Sequence, residues 1–209
     1  MNIVVVRARR KSMTVTVNRG GEVVVRAPYG VSREEIRYFI EKHRDWIFLR
    51  QEERLRGQAD LSDGASYNLF GRQIVLASGK LSLTDGVLYL PQKAREAAFR
   101  KYLIGLAKDE MSELTERLAE EFGFRYGGVR ISAARTRWGS CNSRGVIAYS
   151  FRVAFLPLEA IRAIAVHELC HTRVFHHGPK FWAEVEKIIP DYPSLRKVLK
   201  SMQYVMNYL

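Results

Sequence analysis

His167-Glu168-Leu169-Cys170-His171-Thr172-Arg173-Val174-Phe175-His176-His177-Gly178-Pro179 is the stretch on which the reading of this chain turns. Four of the chain's five histidines fall in its first eleven residues. His167 and His171 are four apart, so on a helix both imidazoles project from one face, one turn above the other. The H-E-x-x-H spacing is the one in which two imidazoles hold a zinc ion beside a general base. Leu158, Ile161, Ile164, Val166 and Leu169 make the segment apolar nearly all round, which predicts a buried helix. Two buried imidazoles each need a polar partner, and a shared metal ion satisfies both. Glu168 then lies beside the metal as general base, next to a water whose pKa the ion lowers from about 15.7 to about 7.

A metal site open to chemistry wants three protein ligands and a water. The third must come from the turn that follows. His176-His177-Gly178-Pro179 breaks the helix, and Pro179 suits the first position of a new one. Adjacent histidines in a turn do not easily both point inward, so one is a ligand and the other a neighbour. Glu184 and Glu186 on the next helix are rivals, because zinc sites of the two-His-plus-Glu type exist. Spacing leaves this choice open.

Around this stretch, the pattern predicts helices over 157–175, 179–189 and 193–207. A β segment over 129–155 precedes them, with a tight Trp138–Asn142 stretch and a turn at Ser143-Arg144-Gly145. Residues 93–122 carry Phe99, Leu103, Leu106, Met111, Leu114 and Leu118 at helical spacing and predict one long amphipathic helix. Strands are expected at 67–77, 80–84 and 87–90, with Asp85-Gly86 as a hairpin turn and Pro91 closing the group. Residues 57–65 read as a polar linker. Farther back, strands over 2–7, 12–18 and 22–26 read as a meander with a Gly20-Gly21 turn. Ser32 and Glu35 form a capping box that opens a single helix running to about Arg56. His43 on that helix has no second ligand nearby in sequence and reads as a packed or solvent-facing residue. Strands and helices that segregate in this way indicate an α+β fold. The domains expected are a β-rich N-terminal module over 1–91 and a catalytic domain over 92–209.

The composition narrows the classes. A hydrophobic fraction of 47% excludes a disordered chain. Cys141 and Cys170 alone exclude a disulfide framework and an all-cysteine zinc site, and they fit a reducing cytosol. The N-terminal MNIVVVRARRK places its apolar run before its charges, the reverse of a secretory signal, and no stretch is long enough to span a membrane. A cytoplasmic location is expected. The formal net charge of +12 favours anionic partners such as nucleic acid, nucleotides or acidic peptides, against the plainer reading of charge spread over solvated faces.

The run HELCHTRVFHHGPKFW resembles the hallmark of the YgjP-like metallohydrolases through His167, Glu168, His171, His177, Phe181 and Trp182. The stretch from His177 to Phe181 is also similar to the His-Gly-Pro-x-Phe of SprT-like zinc proteases. The first resemblance covers nearly the whole chain. It includes RRKSMTVTVNRGGEVVVRAPYGVSREEIRYFIEKHRDWI, the Trp138-Gly139-Ser140-Cys141 stretch and Leu156-Pro157. The resemblance implies a minimal zincin-like metallopeptidase domain, His177 in preference to His176 as third ligand, and Trp138–Cys141 beside the site. His176 stands where the YgjP-like pattern often has Asn.

Arg135 and Arg137, alternating on a strand, are candidates for an anion clamp, against two solvated arginines. Trp138 is a candidate substrate contact, although a tryptophan there more often packs. Tyr149 is a candidate oxyanion donor, against ordinary strand packing. Cys141 is a weak candidate nucleophile beside an activated water, and Cys170 reads as a small buried residue. Residues Val146 to Val153 are expected at a sheet edge where an extended peptide adds as a strand. The leading expectation is a zinc peptidase with Glu168 as base and His167, His171 and His177 as ligands. The alternatives are a metal-dependent nucleoside triphosphate phosphohydrolase and a nucleic-acid-associated protein with a structural zinc.

Overall fold

The structure is a computed structural model that describes residues 3–18, 21–56 and 58–209. The chain divides into two compact units, Met1–Ala59 and Asp60–Asn207. The cut lies in the polar linker and not at residue 91, because the strands that follow the linker share a core with the long helix. Tyr67 packs against Phe99 and Phe155, with ring centres 5.6 and 5.4 Å apart. The Phe70 N–H donates to the Ala154 carbonyl at 2.9 Å.

In the first unit, β1 (Ile3–Ala8), β2 (Thr14–Val17) and β3 (Val23–Pro28) form a sheet in the order β1-β3-β2. β1 runs parallel to β3 and β2 antiparallel to it, so the expected meander is corrected. Val23, Val25 and Ala27 are fully buried, which places β3 between its neighbours. Gly20 of the expected glycine turn, Asn2 of the first expected strand and Gly57 of the expected linker lie outside the described residues. The capping box is as expected: the Glu35 N–H donates to Ser32 Oγ at 3.1 Å, and the Ser32 N–H to Glu35 Oε2 at 2.7 Å. It opens α1 (Arg33–Lys42), and α2 (Arg44–Arg56) follows as a separate helix. The break falls at His43. Its Nδ1–H donates to the Phe39 carbonyl at 2.8 Å, the acceptor its own backbone N–H has in a continuous helix. That N–H falls back on the Ile40 carbonyl at 3.1 Å, a 3-10 bond. Val17, Val23, Val25, Ala27, Ile36 and Ile47 form this unit's core.

The second unit opens with β4 (Ser66–Leu69), β5 (Arg72–Ser78), β6 (Ser82–Thr84) and β7 (Val87–Leu90), in the order β4-β5-β7-β6. The single strand expected over 67–77 is a hairpin. Phe70 and Gly71 turn the chain with φ of 49° and 78°, the double positive φ of a type I′ turn. Asp85 and Gly86, with φ of 50° and 77°, make the hairpin that was expected. α3 (Arg95–Phe122) buries Phe99, Leu103, Met111 and Leu118 and ends at Gly123 in the left-handed region.

β8 (Gly128–Ser132), β9 (Gly139–Cys141) and β10 (Val146–Ser150) form a sheet in the order β8-β10-β9. β10 is central, parallel to β8 and antiparallel to β9, so the stretch expected at a sheet edge, Val146–Val153, is interior where it is a strand, and the edges are β8 and β9. The strand does not continue past Ser150. Phe151–Phe155 is a buried 3-10 turn whose Arg152 donates to the Ala133 and Ala134 carbonyls, each at 3.3 Å. α4 (Leu158–Cys170), α5 (Pro179–Ile188) and α6 (Tyr192–Ser201) follow, and a 3-10 segment Met202–Asn207 ends the unit. The architecture is α+β. Among the described residues, no helix is long and apolar enough to cross a membrane.

Candidate metal centre

α4 is shorter than its periodicity suggests and ends where the site begins. Ala160, Ile161, Ala163, Ile164, Ala165, Val166, Leu169 and Cys170 are buried, as an all-round apolar helix requires. His171, the residue after the helix, keeps helical dihedrals (φ −64°, ψ −20°), so it still stands over His167. The chain then turns, with the Thr172 and Arg173 N–H groups donating to the Leu169 and Cys170 carbonyls at 2.9 and 3.0 Å. Pro179 occupies the first turn of α5, as expected, and Gly178 is the residue that caps it.

This turn brings His177 back over the helix. The Nε2 atoms of His167 and His171 are 3.2 Å apart, those of His171 and His177 3.1 Å, and those of His177 and His167 3.1 Å. A tetrahedral zinc with bonds of about 2.0–2.1 Å has ligand–ligand edges of roughly 3.3 Å, so the triangle has the size of one face of such a site. The Nδ1–H of His171 donates to the Val174 carbonyl at 3.1 Å. A carbonyl only accepts, so His171 must present a lone pair at Nε2. Burial, then the neighbouring His171 and His177, push the His167 imidazole down to about 3, so it stays neutral at ordinary pH. Burial likewise lowers His171.

Aromatic and cationic side chains fix the frame. Phe181 stacks on His171 with ring centres 4.4 Å apart and 27° between planes. Trp182 stacks on His177 at 5.6 Å and 28°, and its indole N–H donates to the His177 carbonyl at 3.0 Å. Arg173 donates to the Phe122 and Gly123 carbonyls at 2.9 and 2.8 Å, closing the C-terminus of α3. It also pairs with Glu184 at 3.1 Å and lies 3.9 Å from the Phe124 ring centre. The loop that bears His177 is thereby pinned to two helices.

Glu168 is only 5% exposed, and its Oε2 has no hydrogen-bond partner among the described residues. Burial pushes its carboxyl up to about 8, against the lowering charge of Arg137. β9 lies directly against it. A Cβ built on Gly139 would sit 2.6 Å from Glu168 Oε1 and 2.7 Å from Cγ, so only glycine admits this approach. The sequence marks Gly139 as a backbone bend; its contact role was visible only with Glu168 in place.

The other sequence candidates separate. His176 is exposed and outside the triangle, and Glu184 is engaged by Arg173. Glu186 is exposed and apart from the cluster. Arg135 donates to the Asn207 carbonyl at 3.4 Å, whereas Arg137 is exposed and its charge reaches Glu168. The two therefore do not form a clamp. Trp138 is buried and packs. Tyr149 is fully buried with its hydroxyl 3.0 Å from Thr115 Oγ1, and Thr115 in turn donates to the Met111 carbonyl, so Tyr149 belongs to the core and not to a substrate surface. Cys141 is half-buried, its thiol pushed up by burial and then by Glu168, and Cys170 is buried and pushed up to about 12. Neither is an activated nucleophile. Tyr192, which no motif announces, places its hydroxyl 2.8 Å from His167 Nδ1.

A model of the YgjP-like metallopeptidase domain matches residues 11–202, running across both units. Among solved structures, the chain is similar to the metallopeptidase zymogen abylysin of Pyrococcus abyssi, with 25% identity and a TM-score of 0.41 over 44% of this chain and 95% of that one. It is also similar to Wss1 from Saccharomyces cerevisiae, with 23% identity and a TM-score of 0.34 over 42% of this chain and 75% of that one. A mutant of Wss1 shares 21% identity at a TM-score of 0.36, over 52% of this chain and 89% of that one. No curated protein matches the chain. With a match spanning most of its length, the chain belongs to the YgjP-like metallopeptidase family.

Proposed function

We propose that the protein is a zinc peptidase in which His167, His171 and His177 hold the metal and Glu168 is the general base. The observation that carries this reading is the convergence of three Nε2 atoms at 3.1–3.2 Å beside a buried carboxylate with an unpartnered oxygen. Three imidazole nitrogens so arranged offer a cation one shared face of donors, and imidazole donors suit zinc better than magnesium. Bound there, zinc supplies a Lewis acid for water and for the scissile carbonyl.

Glu168 takes the proton of the attacking water and returns it to the departing amine. Its burial raises the basicity of the carboxylate, which favours the first transfer, and the charge of Arg137 keeps a fraction ionised. The substrate lies along β9. β9 is at the end of its sheet, pairs only with β10 among the described strands, and carries the glycine that touches Glu168. An extended peptide added to its free edge has its carbonyl next to both the carboxylate and the triad. A polyphosphate substrate asks for converging cations, and Arg135 is turned away to Asn207.

Glu168→Gln should bind zinc with native stoichiometry and lose peptide turnover by at least the 10²–10⁴-fold typical of a lost general base. Turnover is to be measured on unstructured peptides in parallel with nucleoside triphosphates. Full peptide turnover by the variant refutes the role of Glu168, and triphosphate hydrolysis without peptide cleavage refutes the substrate class.

A further inference from the structure

The three histidines differ in what stands behind them. His171 is backed by a carbonyl, which dictates one tautomer. His167, which enters the site from the buried helix, is backed by the Tyr192 hydroxyl at 2.8 Å. Tyr192 is 7% exposed, in the first turn of α6, and its ring lies nearly parallel to that of His167 at 15° and 5.8 Å. Trp182 flanks it with ring centres 5.6 Å apart. A hydroxyl both donates and accepts, so it satisfies either tautomer of the imidazole.

We propose that Tyr192 is a positioning residue that holds the His167 ring in place and lets its tautomer follow the state of the metal site. This rests on the reading that the triad binds zinc. Without metal, a continuous chain of donors is available. Tyr192 Oη–H donates to His167 Nδ1, His167 Nε2–H donates to His171 Nε2 at 3.2 Å, and His171 Nδ1–H donates to Val174. The Nε2 atoms of His167 and His171 then share one hydrogen bond instead of facing each other with two lone pairs. With metal, the His167 proton resides on Nδ1 and is donated to Tyr192 Oη, which frees Nε2. One proton moves from Nε2 to Nδ1 within a neutral imidazole, the phenol keeps its own, and no net proton is released. Outer partners of metal-binding histidines are most often carboxylates or carbonyls, which hold a single tautomer; a buried phenol serves both states.

The test is nitrogen-15 NMR of the imidazoles in the full chain, metal-free and zinc-loaded, with zinc affinities of variants measured by competition against a chromophoric chelator. The expected result is a His167 protonated at Nε2 without metal and at Nδ1 with zinc. Tyr192→Phe, which removes one oxygen and keeps the ring, should weaken zinc binding about 10- to 100-fold. A Tyr192 that merely fills space leaves affinity unchanged in the phenylalanine variant. Native affinity in a folded Tyr192→Phe protein, or a proton on Nδ1 in both states of the native protein, overturns the proposal. If the variant does not fold, the spectra of the native protein decide alone. Native zinc affinity in both His171→Ala and His177→Ala overturns the triad reading itself, which separates that failure from a failure of Tyr192.

Discussion

Gly139→Ala puts the catalytic reading under direct mechanical stress. The new methyl would meet Glu168 Oε1 at 2.6 Å, Cγ at 2.7 Å and Cδ at 2.8 Å. Ordinary contacts of this kind sit near 3.5 Å, so the carboxylate or the strand must retreat by somewhat under about 1 Å. An exposed glutamate would swing aside at little cost. Glu168 is 5% exposed and has buried Val166, Leu169 and Cys170 as neighbours on α4, so its freedom is small. Misplacement of a reacting group by about 1 Å costs roughly 10²-fold in rate, and overpacking of this size costs about 1–3 kcal/mol in stability. The expected variant therefore folds, melts at a lower temperature, binds zinc within about threefold of the native value and loses some 10- to 100-fold in kcat. The assays are peptide turnover, chelator competition and thermal melting. A matched control is Gly105→Ala at an exposed position of α3, where the added Cβ meets nothing within 4 Å. It should gain about 0.5–1 kcal/mol and keep its kcat. Native kcat in a folded Gly139→Ala enzyme would refute the claim that the working carboxylate rests against β9.

Two further outcomes follow from the frame of the site. Arg173→Ala removes the donors to Phe122 and Gly123, the Glu184 pair and the Phe124 contact; with the side chain 40% exposed, the expected loss is about 1–2 kcal/mol. Thermal melting should fall by a few degrees, and an unchanged melt would show that the clamp contributes nothing. The metal-free protein should lose stability in acid. His167 has a folded value near 3, below its unfolded value of about 6.5, so the unfolded chain binds more protons between those limits. This contribution is fully present above about pH 6.5 and falls as pH drops toward 3, by about 2 kcal/mol at pH 5. Denaturant melts of metal-free native protein and of His167→Gln should therefore diverge in pH dependence, and parallel curves would refute the assignment.

The site was legible wherever its logic is local. His167 and His171 follow from a four-residue spacing on an apolar helix, whereas spacing left His176 and His177 open and only the family resemblance pointed to His177. The capping box at Ser32 and the Asp85-Gly86 hairpin are equally local. What was not legible depends on distant partners. Alternation in 23–27 marks a buried face but cannot say that β3 sits between β1 and β2, and nothing in 146–150 tells a central strand from an edge. The Phe70-Gly71 turn lacks the Asn-Gly or Asp-Gly signature and hides in a β-rich run. His43 breaks a helix through its own side chain, which periodicity does not register. Tyr192 and Gly139 matter through one hydrogen bond and one close approach, each made across more than a turn of chain.

The triad and the base have different dependencies. The three nitrogens come from one segment of eleven residues, closed by its own turn, so bringing them together involves only a short loop. The position of Glu168 relies also on β9, upstream in the chain and held by a sheet to which none of the three histidines belongs. Loosening that sheet displaces the carboxylate while leaving the ligands together. On this reading a preparation can carry its full complement of metal and be inert, so zinc stoichiometry overstates the active fraction, and only titration of turnover counts competent molecules.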